Sequence, residues 1–218
     1  DDMHWMGLDG SYVNNWNPWI NQNILLTFLI AEPDPQRRLK AVQKAMASTQ
    51  RFLDMYAPDG GCDEGPGYFV VAGACYLDLC DMLYDLTGGA LNFFKEPHTR
   101  AIAGYQYAAH ISGPYFTNYA DAHCKLSDIH AMQFVRLGEL LEDAGLAAFG
   151  RWALDAGFSP APCENPGGGY NLPYRRIRDV LAYGGPSGSG CRAVPGKYYP
   201  GIQMCVARQH ENSDEGFF

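Results

Sequence analysis

Apolar residues recur at helical spacing through the first two-thirds of this 218-residue chain. Ile20, Ile24, Leu25, Phe28 and Leu29 lie on one face of a helix that Pro18 opens and Pro33 and Pro35 close. Leu39, Val42, Met46, Thr49, Phe52 and Leu53 mark a second helix that ends near Tyr56. A third, over residues 68–86, carries the stripe Val71, Cys75, Leu79, Met82, Leu83 and Leu86 and stops at "TGG", glycine being a common helix terminator. After Pro97 the spacing of Ile102, Tyr105 and Ala109 predicts a helix over 98–110, and two more follow at 127–142 and 145–156. From Ser159 the pattern changes. "SPAPCENPGGGYNLP" reads as loop, 175–183 as a short helix, "YGGPSGSGCRAVPGKYYPG" as irregular chain, and "IQMCVARQ" alternates as a strand does.

The expected fold is therefore all-α, a succession of antiparallel helical hairpins over 1–158, with a linker and a first strand over 159–218. Helix pairs recur about every 40–50 residues, as in stacked or toroidal arrays. Two connections, 57–67 and 112–124, are long for a helical array, and such loops are usually functional. The first contains "DGGCDEGPGY", residues 59–68. Two helices separate it from the stretch before Pro18. If helices alternate up and down, Asn14, Asn15, Trp16 and Tyr68 share one rim.

Composition narrows the chemistry. Hydrophobic residues make up 47%, enough for a core, and aromatics 13%, which suits sugar-binding clefts and packed interiors alike. The net charge of −8 gives no basic groove for nucleic acid. The one basic cluster, Arg175, Arg176 and Arg178, reads as a solvated helix end, with a local anion site as the alternative. Seven cysteines without a CxxC favour a reducing compartment, and Cys75 and Cys80 fall in an apolar helical run as small core residues. No apolar run has the length of a membrane span and no leader pattern is present. "DGGCDEG" lacks the acidic alternation of a calcium loop, whose twelfth position would be Val70. Asp121, His123, Asp128 and His130 fit no metal spacing. No metal or cofactor is expected.

Four segments, "VNNWNPWINQN", "RFLDMYAPDGGCDEGPGYF", "HISGPYFTNYADAH" and "VARQHENSDEGFF", together resemble the heparinase II/III family of polysaccharide lyases. The resemblance implies part of an incomplete (α/α) toroid leading into a β-sandwich, with the rest of a parent chain on either side. It implies β-elimination on an anionic, uronic-acid polysaccharide. By position, Tyr68 is the catalytic phenol, and Asn14 and Asn15 neutralise the uronate carboxylate. Trp16 stands where many relatives carry His. A further catalytic His would come from the sandwich. Trp16, Glu64, His123 and Arg51 are the candidate substrate contacts. The compartment implied is periplasmic or cytoplasmic.

That chemistry explains the residue types. Removing a proton next to a carboxylate builds charge on a charged group, so a donor such as an Asn amide must offset it. Tyrosine, with a free pKa of about 10, acts as a base near neutrality only beside positive charge or strong donors, for which Arg51, Arg100, Lys125 or the histidine of the sandwich are the candidates. Gly60, Gly61, Gly65 and Gly67 permit close backbone approach, and Pro66 stiffens the entrance to the next helix. Other roles fit the same residues: Tyr68 as a packing tyrosine, Asn14 or Asn15 as a helix cap, and His123 as a structural histidine. Two other functions also fit. One is a glycoside hydrolase using carboxylates such as Asp59, Asp63, Glu64 or Asp121. The other is a non-catalytic glycan-binding module.

Overall fold

The first helix, α1 (Trp16–Ala31), folds back on α2 (Pro35–Met55) across three residues. This computed structural model describes residues 3–126, 129–157, 172–182, 196–209 and 216–217. Asp34 caps α2 by accepting from the Gln36 N–H at 2.8 Å, with Pro35 fitting the first turn. The two helices are joined by polar groups in their shared interface. The Asn17 amide nitrogen lies 3.0–3.3 Å from the carbonyls of Trp5, Met6 and Ser48 and from the Ser48 hydroxyl. Asn21 donates to the same hydroxyl at 2.9 Å. This polar knot ties the N-terminal segment to both helices.

A short helix, α3 (Gly65–Tyr68), runs into a 3-10 turn, Phe69–Val71, and then into α4 (Gly73–Leu86). The single helix predicted over 68–86 is thus interrupted at Ala72, whose φ of −107° and ψ of −105° lie outside helical geometry. Gly73 shows how tight the break is: a Cβ there would come within 2.6 Å of Phe69 and 2.8 Å of Ile102. Every residue from Gly73 to Leu83 is buried, so α4 is the central helix. It packs against α1 and α5 (Pro97–Ala103). The helix expected over 98–110 is divided at Gly104 into α5 and α6 (Tyr105–Ala109).

The connection at 112–124 is not wholly loop. β1 (His110–Ser112) and β2 (Tyr115–Phe116) pair antiparallel around Gly113, whose φ is +49°. Next come α7 (Ala131–Leu141) and α8 (Ala144–Asp155). Asp143 caps α8 through the Leu146 N–H at 3.0 Å. Gly138 lets the pair close, because a Cβ there would lie 2.5 Å from Ala147. α9 (Pro173–Ala182) follows, then a three-stranded antiparallel sheet of β3 (Gly196–Tyr199), β4 (Met204–Arg208) and β5 (Gly216–Phe217). β3 lies in chain read from sequence as irregular. The described fold is mostly helical with two small antiparallel sheets, where the sequence pattern predicts helical hairpins followed by a single strand.

Arg175 and Arg178 are not a solvated helix end. Arg175 is buried and its Nε bonds Asp78 of α4 at 2.6 Å, while Arg178 bonds Asp85 at 2.7 Å. Asp78, Asp81 and Asp85 share one face of α4, which is what draws α9 onto it. Arg208 of β4 donates to the carbonyls of His110 and Ile111, fastening the second sheet to the first. Cys75 and Cys80 are fully buried in the core, as expected. Cys163, Cys191 and Asp128 lie outside the described residues. Among the described residues no helix is long and apolar enough to cross a membrane.

Candidate active-site cleft

The 57–67 connection is held from several sides. Gly60 has φ +83°, and its Cα sits so close to α5 that a Cβ would come 2.3 Å from the Ala101 carbonyl carbon. Asp59 bridges two segments, accepting from the Gly61 N–H at 2.9 Å and the Gly201 N–H at 2.7 Å. The Cys62 carbonyl accepts from the Gly65 N–H at 3.1 Å and from the Tyr119 hydroxyl at 2.7 Å. Tyr119 also bonds the Tyr105 hydroxyl. Gln106 donates to the Pro66 carbonyl at 2.8 Å. Gly65, at φ +88°, lies against Ala122, where a Cβ would meet another at 2.5 Å. A loop this constrained presents its side chains in fixed places.

What it presents them to is a cleft of about 400 Å³. One wall is the Tyr12–Asn15 stretch, another the loop with Asp63 and Glu64, and the third Gly201 and Ile202 between β3 and β4. Phe52, Tyr56 and Ala72 also line it. Asn14 and Asn15 therefore share a cleft with Glu64, although about fifty residues separate them in sequence. Asn14 accepts the Trp16 N–H on its Oδ1 at 3.1 Å, a helix-entry bond that leaves its amide N–H groups for other partners. Asn15 is buried at the N-cap of α1 without using its side chain as a cap.

The other candidates are placed elsewhere. Tyr68 closes α3, half-buried, and is not among the lining residues. It is linked to the wall through backbone, its carbonyl accepting the Ala72 N–H at 3.1 Å. Trp16 is half-exposed in an open apolar groove along α1 with Trp19, Ile20 and Phe28. His123 is exposed beside the loop. Arg51 is exposed and pairs with Asp54 of the cleft at 3.4 Å. The cations considered as partners for the phenol have other engagements. Arg100 donates to the Leu141 carbonyl at 3.0 Å, and Lys125 lies 5.2 Å from the Tyr115 ring centroid.

The cleft is acidic. Burial first, then the charges of Asp63 and Asp121, raise the Glu64 pKa and favour its protonated form. Tyr12 stands 72% exposed at the mouth, its phenol pushed up by burial and by Asp63 and Glu64. Beneath the floor, burial holds the Cys62 thiol at about 12, so it stays a thiol. Sequence reading missed Tyr12 and the Gly201–Ile202 wall. Tyr12 had a local signal, lying two residues before the Asn pair. The far wall had none, since partners far along the chain bring it there, among them Asp59 on the Gly201 N–H and Arg208 on the carbonyls of His110 and Ile111. Among the described residues no group of His, Cys, Asp and Glu is arranged to hold a metal. No protein-family model matches the chain, and a search of curated proteins returns no match.

Proposed function

We propose that this chain is part of a polysaccharide lyase that cleaves a uronic-acid polysaccharide by β-elimination. It would form an arc of an (α/α) toroid, with β3–β5 beginning a β-sandwich. The observation that carries this reading is the cleft itself, in which Asn14 and Asn15 face the acidic Gly-rich loop. Supporting it, the segments that resemble heparinase II/III lyases meet in space. Tyr119 of the third bonds the loop of the second, and Arg208 of the fourth bonds the start of the third.

In that reaction the Asn14 and Asn15 amides donate to the uronate carboxylate and stabilise the charge that builds there. By the resemblance Tyr68, which closes α3 next to the cleft wall rather than lining the cleft, takes the C5 proton, a step that requires its phenolate. The electron pair left on C5 forms the C4–C5 double bond, the C4–O bond breaks, and the departing oxygen takes a proton. Glu64, which lines the cleft, is the candidate to give that proton.

One observation favours a second reading. Asp54, Asp63 and Glu64 together repel a polyanion, whereas an acid and a base carboxylate serve glycoside hydrolysis. Products decide. The full-length protein is incubated with heparan sulfate, alginate and neutral glycans, and absorbance of unsaturated uronic ends is followed beside reducing ends. The lyase reading requires unsaturation that Tyr68→Phe abolishes. Undiminished elimination by that variant, or reducing ends without unsaturation, refutes it.

A further inference from the structure

The break before α4 leaves a buried backbone carbonyl to be satisfied. Val70 is 7% exposed, and its carbonyl lies in the turn just after Tyr68. A buried carbonyl without a partner is costly, and this one is met by side chains. Arg175 donates to it from Nη2 at 2.9 Å, and the Cys75 thiol donates at 3.5 Å. Arg175 comes from α9, 105 residues along the chain. Its own position is fixed by Asp78 on Nε at 2.6 Å. Asp78 in turn accepts from Gln133 of α7 at 2.7 Å, and the same amide nitrogen lies 2.9 Å from the Ala74 carbonyl in the first turn of α4.

The other contacts between α9 and α4 lie farther along the helix. Tyr174 donates to Asp81 at 2.7 Å, and Arg178 bonds Asp85 at 2.7 Å and lies 3.4 Å from Asp81. Arg136 of α7 meets the same pair of acids at 3.1 and 2.7 Å. These groups hold α9 in place. Arg175 additionally reaches the turn that ends the loop, between Tyr68 and the cleft-lining Ala72.

We propose that Arg175 is a positioning residue for the active site: by capping Val70, docked α9 sets the geometry of the turn between Tyr68 and Ala72. This rests on the reading of Tyr68 as the reacting phenol. The mechanical half of the proposal, that α9 orders the turn, stands independently of the reaction.

The test compares Arg175→Lys with Arg178→Met in the full-length protein. Lysine keeps a charge beside Asp78, and hence the buried pair, but cannot serve Asp78 and Val70 with a fixed fork. Arg178→Met removes an ion pair from the same helix without touching the turn. Backbone hydrogen exchange is measured over residues 69–76, together with kcat and KM. Arg175→Lys is expected to speed exchange there by about tenfold, and to lower kcat by a similar factor with KM within about twofold. Arg178→Met is expected to leave both unchanged, because Tyr174 on Asp81 and Arg175 on Asp78 still dock α9. Equal exchange in Arg175→Lys and wild type overturns the proposal. So does faster exchange with an unaltered kcat. If the wild type shows no elimination, the lyase reading fails by itself, and the exchange arm alone decides whether α9 orders the turn.

Discussion

Gly60 is the most exacting position in the loop that walls the cleft, and Gly60→Ala isolates two costs. The first is conformational: at φ +83° an L-residue pays about 1–2 kcal/mol for left-handed backbone. The second is steric. The new Cβ would stand 2.3 Å from the Ala101 carbonyl carbon, 2.4 Å from its oxygen and 2.6 Å from the Ile102 nitrogen. All three are backbone atoms of α5, so no rotamer change relieves the overlap, and overpacking of this kind costs about 1–3 kcal/mol. Gly10→Ala provides the reference. Gly10 has nearly the same φ, +84°, and nothing within 4 Å of the added carbon. At about 2–4 °C per kcal/mol, thermal unfolding should therefore place Gly10→Ala about 2–8 °C below wild type, and Gly60→Ala a further ~2–12 °C below that. Equal Tm losses for the two variants would refute the close approach of the loop to α5. Under the lyase reading, Gly60→Ala should also lose activity at temperatures where it remains folded, since moving the loop moves Asp63 and Glu64.

Asn17→Ala removes an amide nitrogen that serves acceptors on two segments, Trp5–Met6 and Ser48 of α2, in a fully buried site, and urea unfolding should show a loss of about 2–4 kcal/mol. Asp179→Asn should act only at higher pH. Burial raises the Asp179 carboxyl to about 6, with Arg176 and Arg175 opposing, so the folded state holds its proton more tightly than the unfolded chain. Stability is then lost as pH rises from about 4 through 6, and the amide variant should gain on the order of 1 kcal/mol at pH 8 and nothing at pH 4. No difference between the two pH values in paired melting curves would contradict this.

What could be read from the sequence was what neighbours in the chain determine. α1, α2 and α8 announce themselves through helical spacing, the first two also through Pro18, Pro33 and Pro35, and the structure places them close to those readings. β4 follows from the alternation of its residues. The loop was identifiable as constrained because its glycines have local reasons to exist. The misreadings involve distant partners. The helix over 68–86 appears continuous in its apolar stripe, since the groups that accommodate its break are Arg175 and Ile102. The basic run at 175–178 looks solvated until Asp78 and Asp85 are set beside it. The β1–β2 hairpin did carry a local signal, the Gly113-Pro114 turn, which the surrounding polar residues obscured.

The third wall of the cleft comes from beyond the point where the composition changes. Asp59 holds the backbone of Gly201, and Ile202 closes the space from that side. The helical portion and the strands that follow are therefore not interchangeable parts. A chimera that grafts these helices onto another protein's strands would inherit the asparagines and the acidic loop but an open groove in place of an enclosed one. Under the lyase reading, such a chimera should lose discrimination among sugars, and it must also replace the core contacts of Tyr199, Met204 and Val206.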